Sequence, residues 1–193
     1  MIKSNIRKAE YEEIYRLLDA VSPLPYDCGT LCGAVCCGTE EEPAEQDSYE
    51  LGIYLRPGEE QVHSTKENWL LWNEERAEDY DFPDSWKGKV YFVRCKTPPH
   101  CPREQRPIQC RTFPLTPHFE EDGRLVLILN DVELPYRCPL IEEEMALNPD
   151  FLETTYACWQ RLVKDPLIRE LVMMDSEDRY DSGAEPDVVY VPR

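Results

Sequence analysis

The chain has 193 residues, 41% of them hydrophobic, and a formal net charge of −18. That length supplies one core rather than two, and the acidity repels phosphate backbones, which argues against a nucleic-acid partner. No run of about 18 apolar residues offers a membrane span.

The opening MIKSNIRKAEYEEIYRLL places acidic residues where a signal peptide needs an apolar stretch, which predicts a cytoplasmic protein. Ile6, Ile14, Leu17, Leu18 and Val21 recur at helical spacing, so residues 5–21 read as an amphipathic helix that Ser22-Pro23-Leu24-Pro25 stops. A cysteine-rich loop over 28–38 follows, then an acidic connection through Glu40, Glu41, Glu42, Glu45 and Asp47. Tyr49, Leu51, Ile53 and Leu55 alternate as a short strand closed by Arg56-Pro57-Gly58. Residues 65–80 read as a helix, and Val90 to Val93 as a strand that delivers Cys95 into a loop.

The proline-rich stretch 98–117 excludes regular helix and central strand. Glu121-Asp122-Gly123 and residues 125–129 read as a turn and a strand. Helices are expected over 140–147, from Asn148-Pro149-Asp150 to about Lys164 with Asp150 as cap, and over 167–174. From Ser176 onward the acidic, Gly- and Pro-containing sequence reads as a frayed tail.

The cysteines number nine. A reducing compartment disfavours disulfides and leaves metal ligation or thiol reactivity. Cys28, Cys32, Cys36 and Cys37 form C-x3-C-x3-C-C, with glycine after Cys28, Cys32 and Cys37 where the backbone must turn sharply around a metal. Adjacent Cys36 and Cys37 are expected to point apart, so that one of them serves a second centre or sits behind the first. Cys95, Cys101, Cys110 and Cys138 supply further sulfurs, and prolines beside Cys101 and Cys138 shape their loops.

Lys87, Lys89, Arg94, Lys96, Arg103, Arg106 and Arg111 form a basic island around these cysteines. Four thiolates on a divalent ion or an oxidised four-iron cluster leave a charge of about −2, which such an island offsets. Arg106 and Arg111, which flank Cys110, are candidates to hold that charge or an anionic ligand; the alternative is that they brace the loop through backbone carbonyls. His63, His100 and His118 are secondary ligand candidates. Cys158, between Ala157 and Trp159, is expected in the core.

The doubled cysteine, the run Arg106-Pro107-Ile108-Gln109-Cys110-Arg111-Thr112-Phe113-Pro114 and the later Cys138-Pro139 together resemble the YkgJ-type cysteine-cluster family. This is the CxxCxxCC zinc- or iron-chelating domain, and the resemblance spans residues 26–140. It implies that Cys28, Cys32, Cys36, Cys37, Cys101 and Cys110 are the motif cysteines, joined by Cys95 and Cys138. The first spacings here are one residue longer than that family's usual CxxC. A related cluster occurs in flagellin lysine methylases, whose activity is not carried over to this chain.

The reading is an α+β chain. Residues 1–175 form a single small, irregular, metal-organised domain, with helices at both ends and short strands and long Cys/Pro-rich loops between. Residues 176–193 form an acidic flexible tail. Its function is to hold zinc or a [4Fe-4S] iron–sulfur cluster through the cysteine cluster. Zinc points to a structural or interaction module with a protein partner, and the cluster to a redox accessory role. The alternative is a cluster-dependent enzyme, though no Ser–His–Asp set, phosphate loop or nucleotide fingerprint is present.

Overall fold

Tyr11, Ile14, Tyr15 and Leu18 recur every three or four residues, and all four are buried on one face of α1 (Lys8–Asp19). The Glu10 carboxylate accepts from Arg7 N at 3.1 Å and closes the first turn. This is the expected N-terminal helix. The computed structural model describes residues 3–37, 52–96 and 100–192. The expected acidic connection through Glu40 to Asp47, and Tyr49 and Leu51 of the expected strand, lie outside the described residues.

The cysteine-rich segment is a short helix, α2 (Gly29–Cys32), followed by a 3-10 turn over Val35–Cys37. Gly33 caps α2 at φ 68°, a left-handed conformation that glycine adopts without strain.

Strands β1 (Ile53–Tyr54), β2 (Leu70–Arg76) and β3 (Lys89–Cys95) form an antiparallel sheet in the order β1-β3-β2. The helix expected over 65–80 is therefore corrected. Good helix formers fill 71–78, but β2 pairs with β3 along its whole length, from Leu70 opposite Cys95 to Arg76 opposite Lys89. That ladder overrides local propensity. The expected strand at 90–93 is present and ends at Cys95.

Within the proline-rich stretch, Pro107 leads into a five-residue helix, α3 (Ile108–Thr112). The Phe113–Pro114 peptide is cis and precedes β4 (Leu115–Phe119). So the stretch holds one helical turn that sequence reasoning excluded, while Pro117 is tolerated because β4 lies at the edge of its sheet. The second sheet is antiparallel, in the order β4-β5-β6, with β5 (Leu125–Leu129) buried along its whole length. Its third strand is β6 (Val188–Tyr190).

The C-terminal part is helical: α4 (Pro139–Glu142), α5 (Pro149–Leu162) and α6 (Pro166–Ser182). Asn148 rather than Asp150 caps α5, its side chain accepting from Asp150 N at 3.0 Å. Proline occupies the next position, where its missing N–H costs nothing. The frayed tail expected from Ser176 is also corrected. Residues 176–182 continue α6, and β6 adds to the second sheet. Buried Ser176 donates to Val172 O and accepts from Phe119 N at 3.0 Å, which ties α6 to β4.

The main core joins α1, α5 and α6 to the second sheet and includes Cys158, which is fully buried as expected. A smaller cluster of Leu55, Trp69, Leu70 and Val93 packs against Cys95 and Cys101. Another, of Leu24, Cys138 and Leu140, packs against Cys28 and Phe113. Cys28, Cys95, Cys101 and Cys138 thus sit in or against these two minor clusters. No helix among the described residues is long and apolar enough to cross a membrane.

Candidate functional site

Segments far apart in sequence close around one cavity of about 250 Å³, and Cys28, Cys36, Cys37, Cys95, Cys101 and Cys110 line it. The 3-10 turn brings both Cys36 and Cys37 to that wall, which corrects the expectation that they point to separate places. Cys95 arrives at the end of β3, Cys101 from the loop that follows, and Cys110 from α3. An exposed pair, Arg103 with Asp27 at 3.8 Å, spans the loops carrying Cys101 and Cys28. Cys138 is buried behind the wall among Leu24 and Leu140, and half-buried Cys32 acts on its thiol electrostatically.

Cys101 is the electrostatic centre. Its sulfur accepts from the thiols of Cys37 and Cys95 and from Arg106 Nε, the last at 3.0 Å. These donors hold the Cys101 thiol well below its ordinary value, which favours its thiolate form. The Cys37 thiol also lowers Cys36, to about 7, while Cys37 and Cys95 are pushed up because their protons bind the neighbouring sulfur. Burial raises Cys28 to about 11. Cys110 is open to the cavity yet walled by protein, and that desolvation raises it to about 12.

The two candidate arginines separate. Arg106 touches sulfur; burial works against its charge, but the bond to Cys101 prevails and holds the guanidinium above its ordinary value. Arg111 is buried with its side chain over the Tyr15 ring at 4.6 Å. It donates from Nε to Arg106 O at 2.5 Å and from Nη1 to Tyr15 O at 3.2 Å. Arg111 therefore ties the Cys110 helix to α1, the bracing role that was its alternative.

Elsewhere in the basic island, Lys89 pairs with Glu74 at 2.6 Å on the sheet surface. None of the three histidines lines the cavity. His63 packs against Tyr15, Trp69 and Trp72, His118 is fully buried beside Tyr180, and His100 is exposed.

Sequence reasoning missed Glu59, which is buried. One of its oxygens accepts from Tyr15 OH at 2.6 Å and from Ile108 N at 2.7 Å; the other accepts from Arg56 N at 2.8 Å. Glu59 thereby fixes the start of α3, which carries Cys110. The local half of this arrangement, a glutamate reaching back three residues across Arg56-Pro57-Gly58, is legible as a capping pattern. Its bond to Ile108 is not.

Among the described residues, no group of three or more histidine, cysteine, aspartate and glutamate side chains is arranged as a ready-made ion site. The donor set lining the cavity nevertheless suits a thiophilic metal, because it is built from cysteine sulfur and the Cys101 thiol is held below its ordinary value. No family model matches the chain, and no curated protein or solved structure matches it.

Proposed function

We propose that this cavity holds a thiolate-bound metal centre, and that the chain belongs with the YkgJ-type cysteine-cluster proteins of the reducing cytoplasm. One observation carries the reading: six cysteines from four separate segments line a single cavity, with Arg106 bonded to the Cys101 sulfur among them. Cys36, Cys37, Cys95, Cys101 and Cys110, with Cys28, would hold the group. Cys32 and Cys138 back that wall.

The choice between zinc and [4Fe-4S] turns on space. A closed zinc site draws four sulfurs to about 2.3 Å from the ion and leaves no room. A cavity of about 250 Å³ with six cysteines exceeds that need and favours the polynuclear cluster. When bound, such a cluster supplies one-electron chemistry at a potential set by nearby charge and hydrogen bonds. Arg106 supplies both.

Protein purified without oxygen is expected to contain about four iron and four sulfide per chain, with brown colour from a broad band near ~400 nm. One zinc per chain in colourless protein would keep the thiolate reading and remove the cluster. Cys101→Ser is expected to lose the metal, whereas Cys158→Ala keeps it and costs about 1 kcal/mol of packing. Well-folded protein with neither metal would sink the proposal.

A further inference from the structure

A second cleft, of about 430 Å³, lies against the cysteine cavity, and Gln109, Phe113 and Asn130 border both. Its size falls within the range of small-molecule sites, roughly 300–1,000 Å³. The groups on its wall are unusual in what they leave unpaired. Arg56 stacks its guanidinium over Trp159 at 5.5 Å, and among the described residues its side chain enters no hydrogen bond or ion pair. Trp159 is 1% exposed, and its indole N–H has no hydrogen-bond partner among the described residues.

Asp175 lines the same cleft. Its carboxylate forms no ion pair among the described residues, and burial raises it above the usual carboxylate range, with the charges of Arg56 and Arg179 opposing that rise. Arg179, by contrast, is satisfied by Asp131 at 2.8 Å and by the Asp175 carbonyl at 3.0 Å.

Arg56 and Asp175 act on each other electrostatically yet form no direct ion pair among the described residues, so each keeps room on this cleft for a ligand's opposite charge. A simple anion would serve Arg56 but meet Asp131, Asp175 and Asp178 on the same wall. A simple cation would serve Asp175 and leave Arg56 as it is. Only a ligand carrying both charges answers both groups, and Phe113, Leu115 and Val132 offer its remainder an apolar surface.

We propose that this cleft binds a small zwitterion of the α-amino-acid class, with its carboxylate on Arg56 and its ammonium on Asp175. The site is independent of the metal centre, although it places its ligand next to that cavity.

The test uses the full chain, purified without oxygen, in thermal-shift assays with each proteinogenic L-amino acid in turn. Calorimetry then follows on the strongest and on its N-acetyl and amide derivatives. At least one free amino acid is expected to raise the melting temperature. Acetylation or amidation, each removing one charge, is expected to weaken binding by about tenfold or more. Arg56→Gln and Asp175→Asn are each expected to lose a similar factor at unchanged metal content, with Arg56→Lys retaining part of the affinity.

The proposal is overturned if no amino acid shifts the melting temperature, or if the derivatives bind as well as the free acid. Wild-type affinity in both charge-removing variants overturns it too. Should Arg56→Gln fail to fold, Asp175→Asn and Arg56→Lys decide the question. Metal content measured on the same samples keeps this outcome separate from that of the metal reading.

Discussion

Arg106 and Arg111 flank the same cysteine and carry the same charge, yet only one of them touches sulfur. Arg106 Nε lies 3.0 Å from the Cys101 sulfur, so removing its charge changes the electrostatics of the cysteine cavity, and of the centre proposed there, directly. Arg106→Gln is expected to lower metal retention or move the midpoint potential downward, because a nearby cation favours the more negative, reduced state. Arg106→Lys should recover part of the shift, and redox titration of both variants reads it. Arg111 holds two backbone carbonyls from a buried position. Its replacement by glutamine should cost roughly 1.5–3 kcal/mol of stability, seen in urea unfolding, and leave the potential unchanged. A potential shift in the Arg111 variant and none in the Arg106 variant would reverse the two assignments. Nothing in the sequence separates these arginines, since both stand in one short motif; the distinction comes from their places in the fold, Arg111 on α3 and Arg106 in the turn that precedes it.

At the scale of elements, helix caps show how a one-residue shift changes what is tested. Asn148 caps α5 and Asp150 only donates its backbone N–H to that cap. Asn148→Ala is expected to lower stability by about 1 kcal/mol, with Asp150→Ala costing less. Equal losses in thermal unfolding would contradict the cap assignment. The strand at Leu70–Arg76 carries the larger lesson. Its residues favour helix locally, and the decision belongs to Lys89–Cys95, which offers a complete ladder of partners. β5 needed no such arbitration, because a short, fully apolar run after a Gly turn has few other ways to bury itself.

For the whole molecule, the C-terminal residues matter more than their composition indicates. Ser176 ties α6 to β4, Arg179 pairs with Asp131, and β6 completes the second sheet. Deleting residues 176–193 is expected to lower the urea midpoint clearly, and an unchanged midpoint would show these contacts to be idle. The same region buries His118 beside Tyr180. Burial holds this imidazole below its ordinary value of 6.5, with Arg179 adding to the effect and Asp131 and Glu120 opposing it. The unfolded chain therefore takes up a proton first as pH falls. The stability this creates is complete above pH 6.5 and is lost as pH drops through the folded value. His118→Asn should flatten that part of the stability–pH curve, and His63, also held down by burial, retains the rest. An identical curve for the variant would remove His118 as its source.

The helical apolar spacing of α1, the strands β3 and β5, and the grouping of cysteines with basic residues were all legible in the sequence. Each of these is written in neighbouring residues. Only tertiary contacts bring Cys28, Cys36, Cys37, Cys95, Cys101 and Cys110 to one cavity, make β2 a strand, anchor α3 on Glu59 and close the fold with α6 and β6. Those outcomes depend on partners dozens of residues away, and local spacing carries no record of which distant groups will meet.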